Sequence, residues 1–354
     1  MNHNLKNVIF LNKANVNIYS SFLNQLPSKP FSDDTIDYLI ALSKELSNDS
    51  RTKEYPDVAT FSFYCRKANL FKLKNEFNDK QLIKLGRGIL FHIAPSNVPI
   101  NFAFSMVMGL LSGNCNIIKV PSANFEQVNI IIDAINSLAE NSNYLSVSKK
   151  IILVKYDSDD IATKQFSLDC DIRVIWGGDE TIQKVRKNDL KPRAYDITFA
   201  DRYSLCAINA DEYIKLNNYN KIANNFYNDT YLFDQNACTS PHLILWLGSE
   251  NNIVDSKKIF WENLHEIVKN KYDMHPLSAV NKLTTSYEQA IRMDGVKVET
   301  QKDNLIFKVS LEKLHEDIDS FRCDSGYFTE YNASTLNDLS KIINSRYQTL
   351  SYYG

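Results

Sequence analysis

The pattern of apolar and polar positions changes along the chain. In the first 85 residues it is mainly helical, and residues 36–46 repeat apolar positions at helical spacing behind Asp33 and Asp34, two candidate N-caps. After Gly88, short and uninterrupted apolar runs appear at 89–94, 116–120, 150–155 and 172–176. Apolar runs without polar alternation, joined by helical segments, predict a parallel sheet that is buried on both faces.

Two of the connecting segments are predicted as helices, one at 99–111 and one at 125–138 with Ser122 or Asn124 as its cap. Such crossovers build an open, doubly wound α/β sheet, whose ligands bind beyond the carboxyl ends of the strands. The residues of interest therefore follow the strands, at 95–97, 119–122 and 177–181. After residue 199, shorter and more isolated strands at 204–208, 242–246, 305–309 and 350–353 predict a second α/β domain.

Composition excludes several classes of protein and of site. The 40 basic and 42 acidic residues nearly balance, which argues against a nucleic-acid binder. The longest apolar stretch, 100–113, contains polar residues and is too short to span a membrane. Neither of the glycine-rich nucleotide motifs is present among the 10 glycines, and no zinc-binding histidine pair occurs, so we expect no metal. Six scattered cysteines and no signal peptide indicate a cytoplasmic protein with reduced thiols.

One cysteine stands in a sequence that favours chemistry. Cys238 lies in a small polar loop, residues 234–241, directly before a predicted strand, where a thiolate could be exposed and nucleophilic. The alternative is a packing cysteine, which we prefer for Cys206 within its apolar run. His242 is close enough in sequence to act as a base, but Pro241 intervenes; His92 lies in an apolar strand and is predicted to be a core residue.

Several motifs, read together, resemble a known family. Residues 92–99 resemble the strand-to-helix turn of the aldehyde dehydrogenase superfamily, 113–122 its next strand, and 235–238 its Gly-Gln-x-Cys segment, with Asp234 where glycine is usual. With Trp-Gly-Gly-Asp at 176–179 and Tyr-Gln-Thr at 347–349, the combination is similar to the LuxC-type acyl-CoA reductases. The resemblance runs from about Tyr55 to Gly354.

The resemblance implies NADPH-dependent reduction of a fatty acyl-CoA to the aldehyde. Cys238 would carry the acyl group, and the Asn97 amide and the Cys238 N–H would stabilise the oxyanion. Residues 198–202, where an oxidising relative places a glutamate that activates water, contain no glutamate, which fits a reductase. Implied domains are a helical segment at 1–85 packed on the cofactor domain, an NADP-binding Rossmann-like domain at 86–198 and a catalytic domain at 199–354 that ends short of the family's C-terminus.

The resemblance also implies how the cofactor is held. Lys119 would reach the adenosine ribose, and the neutral Ser122 would tolerate a 2′-phosphate that a carboxylate there would repel. The pyrophosphate would lie at a helix start, near Gly177, Gly178 and Thr181. Asn97 as a turn residue and Lys119 as a solvated lysine are the alternatives.

Three further alternatives stay open at this point. The acyl donor could be an acyl phosphate or a short-chain acyl-CoA, and the protein could be a non-catalytic relative that binds a nucleotide or a partner. A homodimer and an acyl-transfer partner protein are expected from the resemblance alone.

Overall fold

The computed structural model of the protein contains two units, each built on its own β-sheet. It describes residues 5–13, 16–77, 82–95, 98–157, 160–299 and 303–354. The first unit covers Met1–Ala200 and the second covers Asp201–Gly354. The roles that the sequence predicts for these parts of the chain stay predictions.

The first unit begins with helices and continues as alternating strands and helices. Its helices are α1 (Val16–Phe22), α2 (Asp33–Asn48), α3 (Pro56–Tyr64), α4 (Lys67–Phe77), α5 (Asn101–Leu111), α6 (Glu126–Ala139), α7 (Leu145–Ser148), α8 (Asp160–Asp169) and α9 (Asp179–Arg186). Its strands are β1 (Ile9–Phe10), β2 (Ile89–Ile93), β3 (Cys115–Lys119), β4 (Ile151–Lys155), β5 (Ile172–Trp176) and β6 (Tyr195–Phe199).

The strands of the first unit form sheet A. Within the described residues its order is β1-β4-β3-β2-β5-β6, and all strands except β1 run parallel. Strands β2 to β5 are buried almost throughout, as their apolar runs predict, because helices cover both faces. The parallel order places Lys119, at the end of β3, and Gly177, after β5, on the same edge of the sheet.

Two helix caps differ from the sequence-based expectation. Ser32, not Asp33 or Asp34, is the N-cap of α2, and both aspartates lie in its first turn, where they favour the positive end of the helix dipole. Helix α6 is preceded by Phe125 in extended conformation, without a side-chain cap. Asn124 instead accepts a hydrogen bond from Lys155 Nζ at 2.7 Å.

The second unit also alternates strands and helices. Its helices are α10 (Ala210–Tyr213), α11 (Tyr219–Thr230), α12 (Glu250–Lys271) and α13 (Pro276–Arg292). Its strands are β7 (Tyr203–Asn209), β8 (Pro241–Leu247), β9 (Val296–Val298), β10 (Phe307–Leu311), β11 (Tyr327–Asn332) and β12 (Tyr347–Tyr353).

The strands of the second unit form sheet B. In the described chain its order is β12-β7-β8-β11-β10-β9, with only β9 antiparallel to its neighbour. The expectation of short, isolated strands is therefore wrong: β7 and β8 have seven residues each and pair with neighbours on both sides. An aromatic core that includes Trp246, Phe260 and Trp261 joins one face of the sheet to α12.

Candidate active site

Cys238 lies in a tight turn at the amino end of β8. The turn is closed by a hydrogen bond from the Ser240 N–H to the Ala237 carbonyl at 2.9 Å, and the Cys238 residue is exposed. The Ser204 hydroxyl donates to the Cys238 carbonyl at 2.6 Å, which attaches the turn to β7. Among the described residues, no protein group accepts a hydrogen bond from the Cys238 N–H.

The side chain of Gln235 anchors this turn to sheet B. It is buried, and its Oε1 accepts hydrogen bonds from the N–H groups of Gly326 and Tyr327, both at 2.9 Å. Its Nε2 donates to the Pro241 carbonyl at 3.0 Å and to the Tyr327 carbonyl at 2.9 Å. The sequence motif at 235–238 includes Gln235 but predicts no role for it. Its position three residues before Cys238 is the sequence feature that points to one.

The backbone explains the substitution at position 234. Asp234 and Gln235 both have left-handed conformations, with φ of 50° and 61°. Glycine adopts this conformation without steric cost, and aspartate is one of the few other residues that tolerate it. Asp234 is also held by the Tyr272 hydroxyl, which donates to its Oδ1 at 2.6 Å. Aspartate at the position where the motif usually has glycine is therefore compatible with a left-handed backbone.

Cys238 differs from the other cysteines in its accessibility. Burial raises the pKa of each of the other thiols, to about 12 for Cys65. Cys65, Cys115, Cys170 and Cys206 are buried, Cys323 is half-buried and Cys238 is exposed. The prediction that Cys206 is a packing residue is confirmed by its burial.

Asn97 lies outside the described residues, so its predicted role stays a prediction. The preceding strand, β2, carries His92, which is buried as predicted. Asn116 Nδ2 donates to the Asn114 carbonyl, so its Oδ1 faces His92 and accepts from Nε2 at 2.9 Å. His92 Nδ1 then accepts from the Ser105 hydroxyl at 2.7 Å, and Ser105 Oγ accepts from Trp176 Nε1 at 3.1 Å. Burial lowers the pKa of His92 to about 4, so the ring is neutral at pH 7.

Lys119 lies half-buried at the end of β3. Its Nζ is 4.5 Å from the centre of the Tyr156 ring, a cation–π contact. Burial lowers the pKa of Lys119, the carboxylate of Asp157 raises it, and the ammonium of Lys184 on α9 lowers it. Lys119 and Lys184 are two cations at this part of the carboxyl edge, and the carboxylate of Asp157 offsets part of their attraction for an anionic group.

The remaining predicted cofactor residues also lie beyond the strands of sheet A. Ser122 is exposed after β3, and Gly177 and Gly178 connect β5 to α9, with Gly178 as the N-cap. A Cβ at Gly177 would lie only 3.1 Å from Thr181 Cβ, so any larger residue at position 177 would crowd Thr181 at the helix start. Thr181 is exposed in the first turn of α9, where Asp179 and Glu180 also lie and oppose an anion.

The surroundings of two other candidates, His242 and Asp201, indicate structural and not catalytic roles. Burial lowers the pKa of His242 to about 3, and its ring stacks on Tyr203 at 5.6 Å, which does not favour a general base. Asp201, in the segment where an oxidising relative has its glutamate, pairs with Arg322 at 2.9 Å.

Nowhere in the described ranges do histidine, cysteine and acidic side chains form a group that could hold a metal. The helices described there include none that is long and apolar enough to cross a membrane.

Comparison with known proteins identifies the family. The family model described as acyl-CoA reductase (LuxC) matches residues 71–318, most of the chain. The chain belongs to the LuxC family. A long-chain acyl-protein thioester reductase of Aliivibrio fischeri is 24% identical over 163 residues, covering 46% of this chain and 32% of that protein. A second such reductase, from Photobacterium leiognathi, is 25% identical over 228 residues, covering 60% and 44%. The chain thus matches less than half the length of either LuxC-family relative.

Solved structures confirm the predicted fold of this LuxC-family chain. Lactaldehyde dehydrogenase from Escherichia coli superposes with a TM-score of 0.62 at 11% identity, over 95% of this chain and 80% of that one. An NAD-dependent benzaldehyde dehydrogenase from Corynebacterium glutamicum gives 0.58 at 13% identity, over 94% and 82%. The LuxC-family chain therefore has the aldehyde dehydrogenase fold.

Proposed function

We propose that the protein reduces a long-chain acyl thioester to the aldehyde, with Cys238 as the residue that carries the acyl group. One observation carries the proposal: the exposed cysteine of a LuxC-family chain lies on a turn whose position is fixed by a buried glutamine. A nucleophile needs this combination, because its sulfur must be accessible while its backbone stays in place.

The first step would transfer the acyl group to Cys238. Its thiolate attacks the carbonyl carbon, a new carbon–sulfur bond forms, and the bond to the departing thiolate breaks. The departing thiolate takes up the proton that Cys238 released. The Cys238 N–H is available to the developing oxyanion, and Asn97 is proposed as the second donor. Loss of one such donor typically costs about 3–4 kcal/mol in the barrier.

The second step needs a reductant, for which we propose NADPH. Reductases of this family use a nicotinamide cofactor, which supplies hydride to the thioester carbon. The residues present fit a 2′-phosphorylated nucleotide, because Lys119 is a partly desolvated cation with Lys184 nearby and Ser122 is an exposed, neutral neighbour. The pyrophosphate is proposed to lie at the start of α9, near Gly177, Gly178 and Thr181, where backbone N–H groups are free to bind an anion. When the bond between the substrate carbon and Cys238 sulfur breaks, the aldehyde leaves and the thiolate is regenerated.

The absence of an activating glutamate supports reduction over hydrolysis. In the segment 198–202, where a hydrolytic relative has its glutamate, Thr198 lies near the end of β6. The carboxylate of this segment belongs to Asp201, which pairs with Arg322. An acyl-enzyme without a base to activate water persists until it is reduced. This argument favours a reductase over a hydrolytic aldehyde dehydrogenase.

The identity of the acyl donor has two candidates. Coenzyme A thioesters are our first proposal, and an acyl group carried on a partner protein is the second. The second candidate rests on the relatives from Aliivibrio fischeri and Photobacterium leiognathi, which are described as reductases of acyl-protein thioesters.

The test is turnover by the purified chain with a long-chain acyl-CoA and either NADPH or NADH. We expect loss of nicotinamide absorbance with stoichiometric aldehyde, faster with NADPH. Cys238→Ser should abolish it, while the matched control Cys323→Ser, a half-buried cysteine of the same unit, should retain it. Full turnover by Cys238→Ser would refute the proposal.

A further inference from the structure

The face of helix α13 that is buried in the second unit is polar. An ordinary surface helix buries its apolar stripe and exposes its polar side chains. The burial of a polar side chain costs free energy unless the side chain is hydrogen-bonded, so a buried polar face indicates that specific hydrogen bonds are made there. The buried positions of α13 are Ser278, Lys282, Ser286 and Gln289.

Two of these four side chains have partners within the helix or in the segment before β10. Lys282 Nζ donates to the Asn304 carbonyl at 2.6 Å, which attaches α13 to that segment. The Ser286 hydroxyl donates to the Leu283 carbonyl of its own helix at 2.8 Å. The other two buried side chains of α13 reach a different segment, residues 325–327, which also contacts the turn of Cys238.

Gln289 is connected to the turn of Cys238 through a single residue, Tyr327. Gln289 Oε1 accepts a hydrogen bond from the Tyr327 hydroxyl at 2.7 Å, and both side chains are buried. The backbone of the same tyrosine holds Gln235, because the Tyr327 N–H donates to Gln235 Oε1 and the Tyr327 carbonyl accepts from Gln235 Nε2, both at 2.9 Å. Gln289 therefore fixes the side chain of the residue whose backbone anchors the turn.

Ser278 makes a second connection from α13 to the same turn. Its hydroxyl oxygen accepts from the Ser325 hydroxyl at 3.1 Å, and the Ser325 N–H donates to the Asp234 carbonyl at 2.9 Å. Ser325 has a φ of 57°, a left-handed conformation that a residue other than glycine adopts at a steric cost. Residues 325–327 are thus held by α13 and in turn hold residues 234 and 235.

We propose that Gln289 is a positioning residue for acyl transfer, which acts through Tyr327 and Gln235 on the place of the Cys238 sulfur. The inference rests on the proposed function, in which Cys238 attacks the acyl thioester. A misplacement of about 1 Å at a reacting atom can cost about a hundredfold in rate, so a hydrogen bond lost at α13 slows the reaction without any contact to the substrate.

The test is the rate at which a long-chain acyl-CoA acylates Cys238 without reductant, measured by mass spectrometry on the folded full chain. We expect Gln289→Met and the milder Tyr327→Phe each to slow acylation about tenfold. NADPH binding should not change, because the proposed cofactor residues belong to the first unit. The matched control is Ser286→Ala, on the same buried face of α13, and it should be acylated at the rate of the wild type.

A double variant separates positioning from stability. When Gln289→Met is combined with Tyr327→Phe, neither partner is left unpaired, so the free energy of unfolding should recover toward that of the wild type. The rate of acylation should stay reduced, because the hydrogen bond that positions Tyr327 is still absent. Recovery of both quantities, acylation of Gln289→Met at the wild-type rate, or equal slowing by Ser286→Ala would each overturn the proposal.

Alkylation of Cys238 by iodoacetamide distinguishes a failure of this inference from a failure of the proposed function. A wild-type chain that is never acylated would refute the proposed function alone. A changed rate of alkylation in Gln289→Met, with an unchanged rate in Ser286→Ala, would then still support the positioning of the turn by α13. Equal rates of alkylation in the wild type and both variants would overturn the inference.

Discussion

Removal of the Gln235 amide tests how the turn of Cys238 is held. In Gln235→Met the chain length of the residue is kept, but the N–H groups of Gly326 and Tyr327 lose their buried acceptor and two carbonyls lose a donor. An orphaned buried donor costs about 1–3 kcal/mol and a lost bond about 1 kcal/mol, so the loss is about 4 kcal/mol even at the low end.

The assay is urea unfolding followed by tryptophan fluorescence, because Trp246 and Trp261 lie in the core of the second unit. Alkylation of Cys238 in the folded variant reports separately on the turn, and we expect its rate to change. Gln348→Met is the matched control, since Gln348 is exposed in the same unit and should change stability by less than about 0.5 kcal/mol. A Gln235→Met variant within about 1 kcal/mol of the wild type would show that these hydrogen bonds do not hold the turn.

Three further predictions concern the cofactor edge, the left-handed turn and the buried histidine. Lys119→Met should weaken NADPH binding about tenfold or more, because one charge-assisted hydrogen bond to the nucleotide is lost. Ser122→Glu should weaken the binding of NADPH more than that of NADH, as measured by fluorescence titration. If Ser122→Glu weakened both nucleotides equally, the assignment would be contradicted. Asp234→Gly should stay within about 1 kcal/mol of the wild type, because relief at positive φ offsets the bond lost to Tyr272, whereas Asp234→Val should lose about 2 kcal/mol or more in the same unfolding assay. For His92 the pKa in the folded chain is about 4, below the ordinary 6.5, so the unfolded chain binds the proton first as the pH falls. The contribution of His92 to the free energy of unfolding is therefore complete above pH 6.5, and about 3 kcal/mol of it is lost by pH 4. Unfolding of His92→Gln as a function of pH should lack that part of the acid sensitivity, and an unchanged pH profile would contradict it.

The strands of sheet A show what apolar patterning can predict. Strands β2 to β5 are predicted because burial on both faces demands uninterrupted apolar runs. β6 was missed because, at the edge of the sheet, its residues alternate between half-buried and exposed. β11 was missed because Thr329 and Glu330 are buried polar residues, and Glu330 accepts from two tryptophan indoles, contacts that only the folded chain brings together.

The candidate site shows the same limit. The loop position of Cys238 and the strand-end position of Lys119 follow from local sequence, as predicted. The anchoring role of Gln235 does not, because Gly326 lies 91 residues away in the chain and supplies only a backbone N–H, which no residue pattern reveals. Helix α13 is a further case: apolar periodicity alone would place Val280 and Ile291 inside. Both are exposed, and Lys282 and Gln289 are buried instead.

The mass of the protein after mixing with a long-chain acyl-CoA, without any reductant, tests the central claim most directly. The account predicts one acyl group per chain, located on Cys238 by peptide mapping, that disappears as aldehyde forms when NADPH is added. A chain that reduces the substrate without ever carrying an acyl group, or that carries it on another residue, would contradict the assignment of Cys238 as the nucleophile.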